Sequence, residues 1–436
     1  MRFSIPCGVV PALASLVALV AIPAPAAFGE ALAPAGTEIA VNTYTIGQQG
    51  FPEVAARPDG GFVVTWEGNG NQDGDSWGVF RQVFEADGSP SGGELQVNTT
   101  TAGTQWDPSV GVDAAGNFVI AWHGDGGGQD FDVFAQRFGA DGMPVGGELQ
   151  VNTETSGYQG NTTVAMSTAG DFLVVWESDG QDGDEAGVYG QLYDAAGATV
   201  GGEVRINDTT VGDQNDARVV STDSGYAVTW ESFLQDGSEE ATILRFLDAT
   251  AAPDGGEIVV NTEVLGDQED AALAVDASGL IAVVWESTSQ DGNGEGIFAQ
   301  ILDADGASVG PEFQVNAFTT GDQKNPRVAA DGAGGFVAVW TSEDQFDDVS
   351  EEIYGRRLSA DGAVIGDEFR VNTETSDDQD IPAISGGPGQ QVLVTWRSFG
   401  AQDGSGAGVF AQRFQIVLFA DGFESGDVSA WSSVVQ

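Results

Sequence analysis

The feature that most constrains this chain is a beat. The asparagine of a Val-Asn or Ile-Asn pair falls at Asn42, Asn98, Asn152, Asn207, Asn261, Asn316 and Asn372, at intervals of 54 to 56 residues. A tryptophan closing an apolar run keeps the same spacing at Trp66, Trp122, Trp176, Trp230, Trp285, Trp340 and Trp396. Two markers in step seven times mean seven copies of one unit, and a fixed period decides the architecture before any local reading does. The unit has no helical periodicity and reads as four short strands, the makeup of a propeller blade.

The first strand, as in Pro52-Glu53-Val54-Ala55, ends in small residues and suits the crowded axis. The second, as in Phe62–Trp66, is apolar or Thr on both faces, as expected of a strand covered on each side. The third, as in Val133–Phe138, mixes aromatic and polar residues, and the fourth, as in Glu94–Asn98, alternates with period 2 and belongs at the rim. Asp-Gly pairs such as Asp87-Gly88 and Asp305-Gly306 supply the reversals between third and fourth strands. The chain enters on a fourth-strand segment, Thr37–Thr43, and leaves on a third strand, Gly408–Phe414. That offset lets the first segment complete the last blade and removes the unpaired sheet edge. The expectation is an all-β, seven-bladed propeller over residues 37–414. The alternative, an open β-solenoid, would need atypical caps at its ends.

Charge narrows the partners. The 436 residues carry 67 Asp plus Glu against 14 Lys plus Arg, a net −53, with Lys324 the sole lysine. A phosphate backbone is held by clustered cations, so nucleic acid is excluded as a partner of the usual electrostatic kind. Residues 1–27 join Met1-Arg2, an apolar run Val9–Ile22 and Ala24-Pro25-Ala26, the pattern of a secretory signal. A retained anchor is disfavoured by Pro11 and Pro23 and by a run short for a span of about 20 residues. Cys7 lies in the removed segment, so the mature chain is expected to have neither thiol nor disulfide, and no later segment is apolar enough to cross a bilayer. Residues 28–36 read as a linker and 415–436 as a tail.

The unit V-N-T-x-T-x-G-x-Q, F-V-V-x-W-E-S-x-x-Q-D-G, G-V-F-A-Q-R-F-x-A-D-G resembles repeats of secreted bacterial proteins, and the likeness covers nearly the whole mature chain. It implies a propeller-type repeat and a secreted or outer-surface location, and it implies no activity. Leu418–Ser432, with its Asp421-Gly422-Phe423-Glu424-Ser425-Gly426-Asp427 run, resembles a short tail of exported bacterial proteins, which implies sorting or display. A plain chain end or a domain remnant is the other reading.

Two shared signatures fall on one face: the glutamines Gln49, Gln105, Gln159, Gln214, Gln268, Gln323 and Gln379, and the Gln-Asp-Gly loops beginning at Gln72, Gln181, Gln235, Gln290 and Gln402. Blades 2 and 6 depart from the second pattern, with Gln129-Asp130-Phe131 and Gln345-Phe346-Asp347. What every blade carries usually serves the blade, so these side chains are expected to bond turn backbone. The functional alternative is Ca²⁺, whose six to eight oxygens Asp73 and Asp75, or Asp182 and Asp184, could begin to supply. Asp73-Gly74-Asp75-Ser76-Trp77 is a loose echo of the Ser-x-Asp-x-Gly-x-Thr-Trp box of sialidase-like propellers. His123 is the only histidine and reads as a solvated loop residue just after Trp122.

Deviations among blades speak to specificity. One inner-strand column reads Glu53, Ser109, Thr163, Arg218, Ala272, Arg327 and Ala383, with Lys324 close to Arg327. Arg218, Lys324 and Arg327 either balance charge locally or face an anionic or sugar ligand at the central mouth. The expectation is a secreted, monomeric, non-catalytic module for binding, adhesion or scaffolding, with an extracellular polymer, glycan or protein as partner. The rival is a secreted carbohydrate-active enzyme, a hydrolase or lyase, that uses a carboxylate pair.

Overall fold

The computed structural model describes residues 29–125, 130–346, 350–400 and 402–419. The segment 1–27 that reads as a secretory signal, with Cys7, and most of residues 415–436 lie outside them, as do Gln129 and Asp347. The described residues form two units: Leu32–Ile416, which is the propeller, and a small unit of which Gly29–Ala31 and Val417–Phe419 are described. Among the described residues no helix is long and apolar enough to cross a membrane.

Seven antiparallel sheets form a ring; six have four strands in sequence order, and the seventh sets the amino-terminal strands Gly29–Pro34 and Ile39–Ala40 beside its carboxy-terminal ones. Blade 1 is Gln49–Ala56, Phe62–Gly68, Gly78–Phe84 and Leu95–Gln96. The last blade has three strands from the carboxy-terminal part, Gln379–Gly387, Gln391–Ser398 and Gly408–Phe419, and Ile39–Ala40 as its fourth. Ile39 pairs with Ala411 and Ala40 with Phe410, so the ring closes by the expected overlap. Val41 N–H extends that pairing to the Val409 carbonyl at 2.9 Å.

Of the two markers that betray the repeat, the tryptophan joins blades and the asparagine ties the exit of a blade's fourth strand to its third. Every marker tryptophan is buried to 1% exposure or less. Each belongs to one of seven core clusters that draw residues from two adjacent blades; Trp230, for example, packs with Val175 and Val188 of the blade before it. The asparagine Oδ1 accepts a third-strand N–H in all seven blades, from Val79, Val133, Val188, Thr242, Ile297, Ile353 and Val409, at 2.7 to 3.0 Å. Its amide donates to a main-chain carbonyl two residues on, as Asn207 does to Thr209 at 2.7 Å. A rim carboxylate then holds the preceding blade: Glu94 accepts from Thr43 N–H, Glu148 from Thr99 and Glu38 from Thr373, with equivalents in the other blades. Seven of the 67 acids are therefore structural, one rim acceptor per joint.

The repeated glutamine is buried and ties a turn to the tryptophan. Trp176, Trp285 and Trp396 Nε1–H donate to Gln159, Gln268 and Gln379 Oε1 at 3.0 Å. The other end of the glutamine reaches back three residues, as Gln105 Nε2–H does to the Ala102 carbonyl at 3.1 Å.

Candidate functional site

Each first strand carries a β-bulge two residues past the glutamine, and the residue there has left-handed φ between 46° and 52° in all seven blades. Seven equal backbone positions thus present Phe51, Asp107, Asn161, Asp216, Asp270, Asn325 and Ile381 around the axis. All seven line one cavity of about 200 Å³ at the mouth. A non-Gly residue at positive φ is uncommon, and Asp and Asn tolerate it best; Phe51 and Ile381 are the strained members.

Four of these bulges are held by a buried glutamate that follows the tryptophan of the preceding blade. Glu67 accepts from Asp107 N–H at 3.2 Å, Glu177 from Asp216 at 2.5 Å, and Glu231 and Glu286 from the Asp270 and Asn325 amides. Burial raises these acids, with neighbouring aspartates adding to it: Glu67 and Glu177 to about 8, and Glu231 and Glu286 well above the usual carboxylate range. Desolvation also raises Asp107 and Asp216. Two bulge pairs bond across blades, Asn161 Nδ2–H to Asp216 and Asn325 Nδ2–H to Asp270, each at 3.3 Å.

The cation column behaves in two ways. Arg218 and Arg327 line the mouth cavity. With Glu53 they also line a second cavity of about 540 Å³ further along the axis. These three side chains therefore divide the axial space, and Arg218 Nη1 reaches across it from blade 4 to Glu53 of blade 1 at 3.7 Å. Arg327 makes no ion pair among the described residues; its Nη1–H donates to the Pro326 carbonyl at 2.9 Å, and desolvation lowers its pKa, helped by Arg218. Lys324 does not join them. The bulge between Lys324 and Arg327 separates them, and the ammonium pairs with Glu343, with Asp322 at 3.7 Å and with Glu351 at 3.9 Å.

The loop aspartates serve turns and joints. Asp73 Oδ1 accepts from Asp75 N–H at 3.1 Å, and Asp182 Oδ1 from Asp184 N–H at 3.2 Å. Asp182 Oδ2 accepts from Asn207 at 3.1 Å, while Asp75 and Asp184 accept from the Gly103 and Gly212 amides at 3.0 and 3.2 Å. A hard cation wants oxygens with lone pairs to spare, and these are turned toward N–H donors. Among the described residues no group of three or more His, Cys, Asp or Glu side chains is arranged for a metal ion. Blades 2 and 6 move the carboxylate instead of losing it: Asp132 accepts from Asn152 at 2.6 Å and Glu352 from Asn372, both from the third strand.

His123 is a correction. It lies on the strand Phe118–Gly124 at 1% exposure, not in a solvated loop, because the second strand runs two residues past its tryptophan. It occupies the place of the clasping glutamate, and desolvation lowers its pKa to about 4, so it is neutral. Around it stand Trp106, Phe131 and Tyr158, none of which sequence reasoning singled out. Trp106 stacks on Phe131 at 5.4 Å and 15°, and Tyr158 Oη lies 3.4 Å from His123 Nε2. The available signals were a Gln-x-Asp/Asn pattern in five blades and aromatic residues where other blades have Gly or acids.

No protein family matches the chain, and no curated protein matches it. Among solved structures it is similar to a protein of unknown function from Dyadobacter fermentans, at 12% identity over 88% of this chain and 99% of that one, TM-score 0.52. It is also similar to a fungal alcohol oxidase solved with copper, at 12% identity over 87% and 76%, TM-score 0.50. The NanB sialidase of Streptococcus pneumoniae is a weaker likeness, at 8% identity over 86% and 70%, TM-score 0.47. At these identities the likeness establishes the propeller fold alone.

Proposed function

We propose that this chain is an exported, non-catalytic binding module that holds a hydroxyl-rich unit, one sugar residue of an extracellular glycan, at the central mouth. The observation that carries the reading is the ring of bulge residues, where one repeated backbone position presents different side chains. Carboxylates accept, the Arg218 and Arg327 guanidiniums donate, and Asn161, Asn325 and Thr162 do both. A sugar hydroxyl, itself donor and acceptor, matches that mixture. A polyanion does not, because four acids, Glu53, Asp107, Asp216 and Asp270, stand in the cavity against two arginines. The volume of about 200 Å³ is below the ~300–1,000 Å³ of pockets that enclose a drug-sized ligand, so one small unit enters.

A glycan array followed by calorimetry on residues 28–436 tests this. Binding should weaken at least tenfold in Asp216→Ala and in Arg327→Ala. Glycan binding indifferent to both, or no binding at all, ends the reading; sustained cleavage of a polysaccharide would replace it with the enzymatic one.

A further inference from the structure

The mouth is not closed on all sides. A third cavity of about 370 Å³ opens beside blades 1 and 2 and shares Phe51 and Asp107 with the mouth, so the two adjoin. Its walls are Trp77 and Trp106, with Glu67 and Arg397 as polar members. We infer that this cleft is a second subsite that stacks a neutral sugar ring, so that the ligand is a neutral oligosaccharide running from the mouth between Trp77 and Trp106. The inference rests on the glycan reading of the mouth and gives that ligand a length and a charge.

Three observations carry it. The first is chemical: a pyranose has an apolar C–H face and a polar rim, and the cleft sets aromatic surface beside a carboxyl and a guanidinium. A volume above the ~300 Å³ floor for ligand pockets admits a whole ring, which the mouth alone barely does. The second is rigidity. Trp106 is half-buried and lines the cleft, and its indole is already stacked on Phe131. A platform immobilised beforehand loses little entropy when a ligand arrives. The third is charge. Arg397 is committed to Asp380 through Nε–H at 2.8 Å and a second bond from Nη2–H, and it lies against Phe51 and Phe399, 5.4 and 4.6 Å from the ring centres. It offers no uncompensated positive charge for an acidic sugar. Burial and then Asp107 push Glu67 up to about 8, which favours its uncharged form in the cleft.

The test is calorimetry of residues 28–436 with neutral gluco-, galacto- and manno-oligosaccharides of one to six units, and with the matching uronates. The wild type should gain at least tenfold in affinity on going from one unit to two or three. Trp106→Ala should erase that gain and leave single-unit binding, and Trp106→Phe, which keeps a stacking face, should restore most of it. Asp216→Asn should weaken every length alike. A length gain that survives both Trp106→Ala and Trp77→Ala overturns the cleft and spares the mouth, as does single-unit binding without any length gain. Preference for the uronate series overturns the neutral assignment. Failure of every length to bind overturns mouth and cleft together. Melting temperatures of the variants within a few degrees of wild type exclude misfolding as the cause.

Discussion

Blades 1 and 2 share a backbone with blades 4 to 6, yet they set different chemistry on the mouth face. The residue that leads into the third strand is Trp77 or Phe131 in the first pair and Glu240, Glu295 or Glu351 in the second group. The joints differ in the same sense. Between blades 1 and 2, and between 2 and 3, main chain meets main chain: Gln105 and Gln159 N–H donate to the Trp77 and Phe131 carbonyls at 3.1 Å. Between blades 4 and 5, and 5 and 6, a carboxylate stands in, Asp267 accepting from Glu240 N–H at 3.4 Å and Asp322 from Glu295 N–H at 3.2 Å. Where backbone does the joining, side chains are released for other work, and there the aromatic cleft is found. Where carboxylates do it, the face is committed to structure.

The largest expected effect probes what the two sectors share. Asn98→Ala and Asn261→Ala each strand a buried third-strand N–H, of Val79 and Thr242. Each should lose about 2–3 kcal/mol in chemical denaturation, equally in both sectors; a large inequality would show that the contrast reaches the core joints. Next comes pH. Glu240, Glu269 and Glu351 are raised to about 7, each chiefly by desolvation and then by neighbouring aspartates. The folded protein holds these protons where the unfolded chain, with ordinary carboxylates, has released them. Stability contributed by these groups is therefore full below pH 4.5 and is lost as pH rises through 7. Melting temperature should fall by several degrees between pH 5 and pH 8. Asp267→Asn, which removes the charge beside Glu240 and Glu269, should flatten that slope, whereas Thr104→Ala at the matching place in blade 2 should not. The smallest effect is Lys324→Gln: its ion pairs are half-exposed, so the loss should be no more than about 1 kcal/mol, with glycan affinity unchanged. A drop in affinity would return Lys324 to the mouth.

The ring itself was readable because a period of 54 to 56 and a quarter-blade offset are arithmetic, and arithmetic survives without coordinates. The mouth was half readable. Arg218 and Arg327 were found because cations are rare here, but Lys324 was grouped with them by proximity along the chain, and a bulge between Lys324 and Arg327 defeats such counting. The same bulge hid Asp107, Asp216 and Asp270, since an extra residue breaks the two-residue alternation by which inward positions are assigned. His123 was misplaced because a strand was ended at its tryptophan. Trp106 and Trp77 become neighbours only through the ring, and no local pattern in either blade announces that they face one cleft.

The carboxylate that moves from loop to strand in blades 2 and 6 has a wider meaning. Five blades hold their asparagine with an acid on the second hairpin, and two hold it with Asp132 or Glu352 from beneath. Once the acid sits on the strand, the hairpin above is freed of its bond to the asparagine, while in blade 6 Gln345 keeps its bond to the rim Glu368 at 2.8 Å. Those two hairpins are the natural places to graft new recognition onto this scaffold, or for selection to have tried it first.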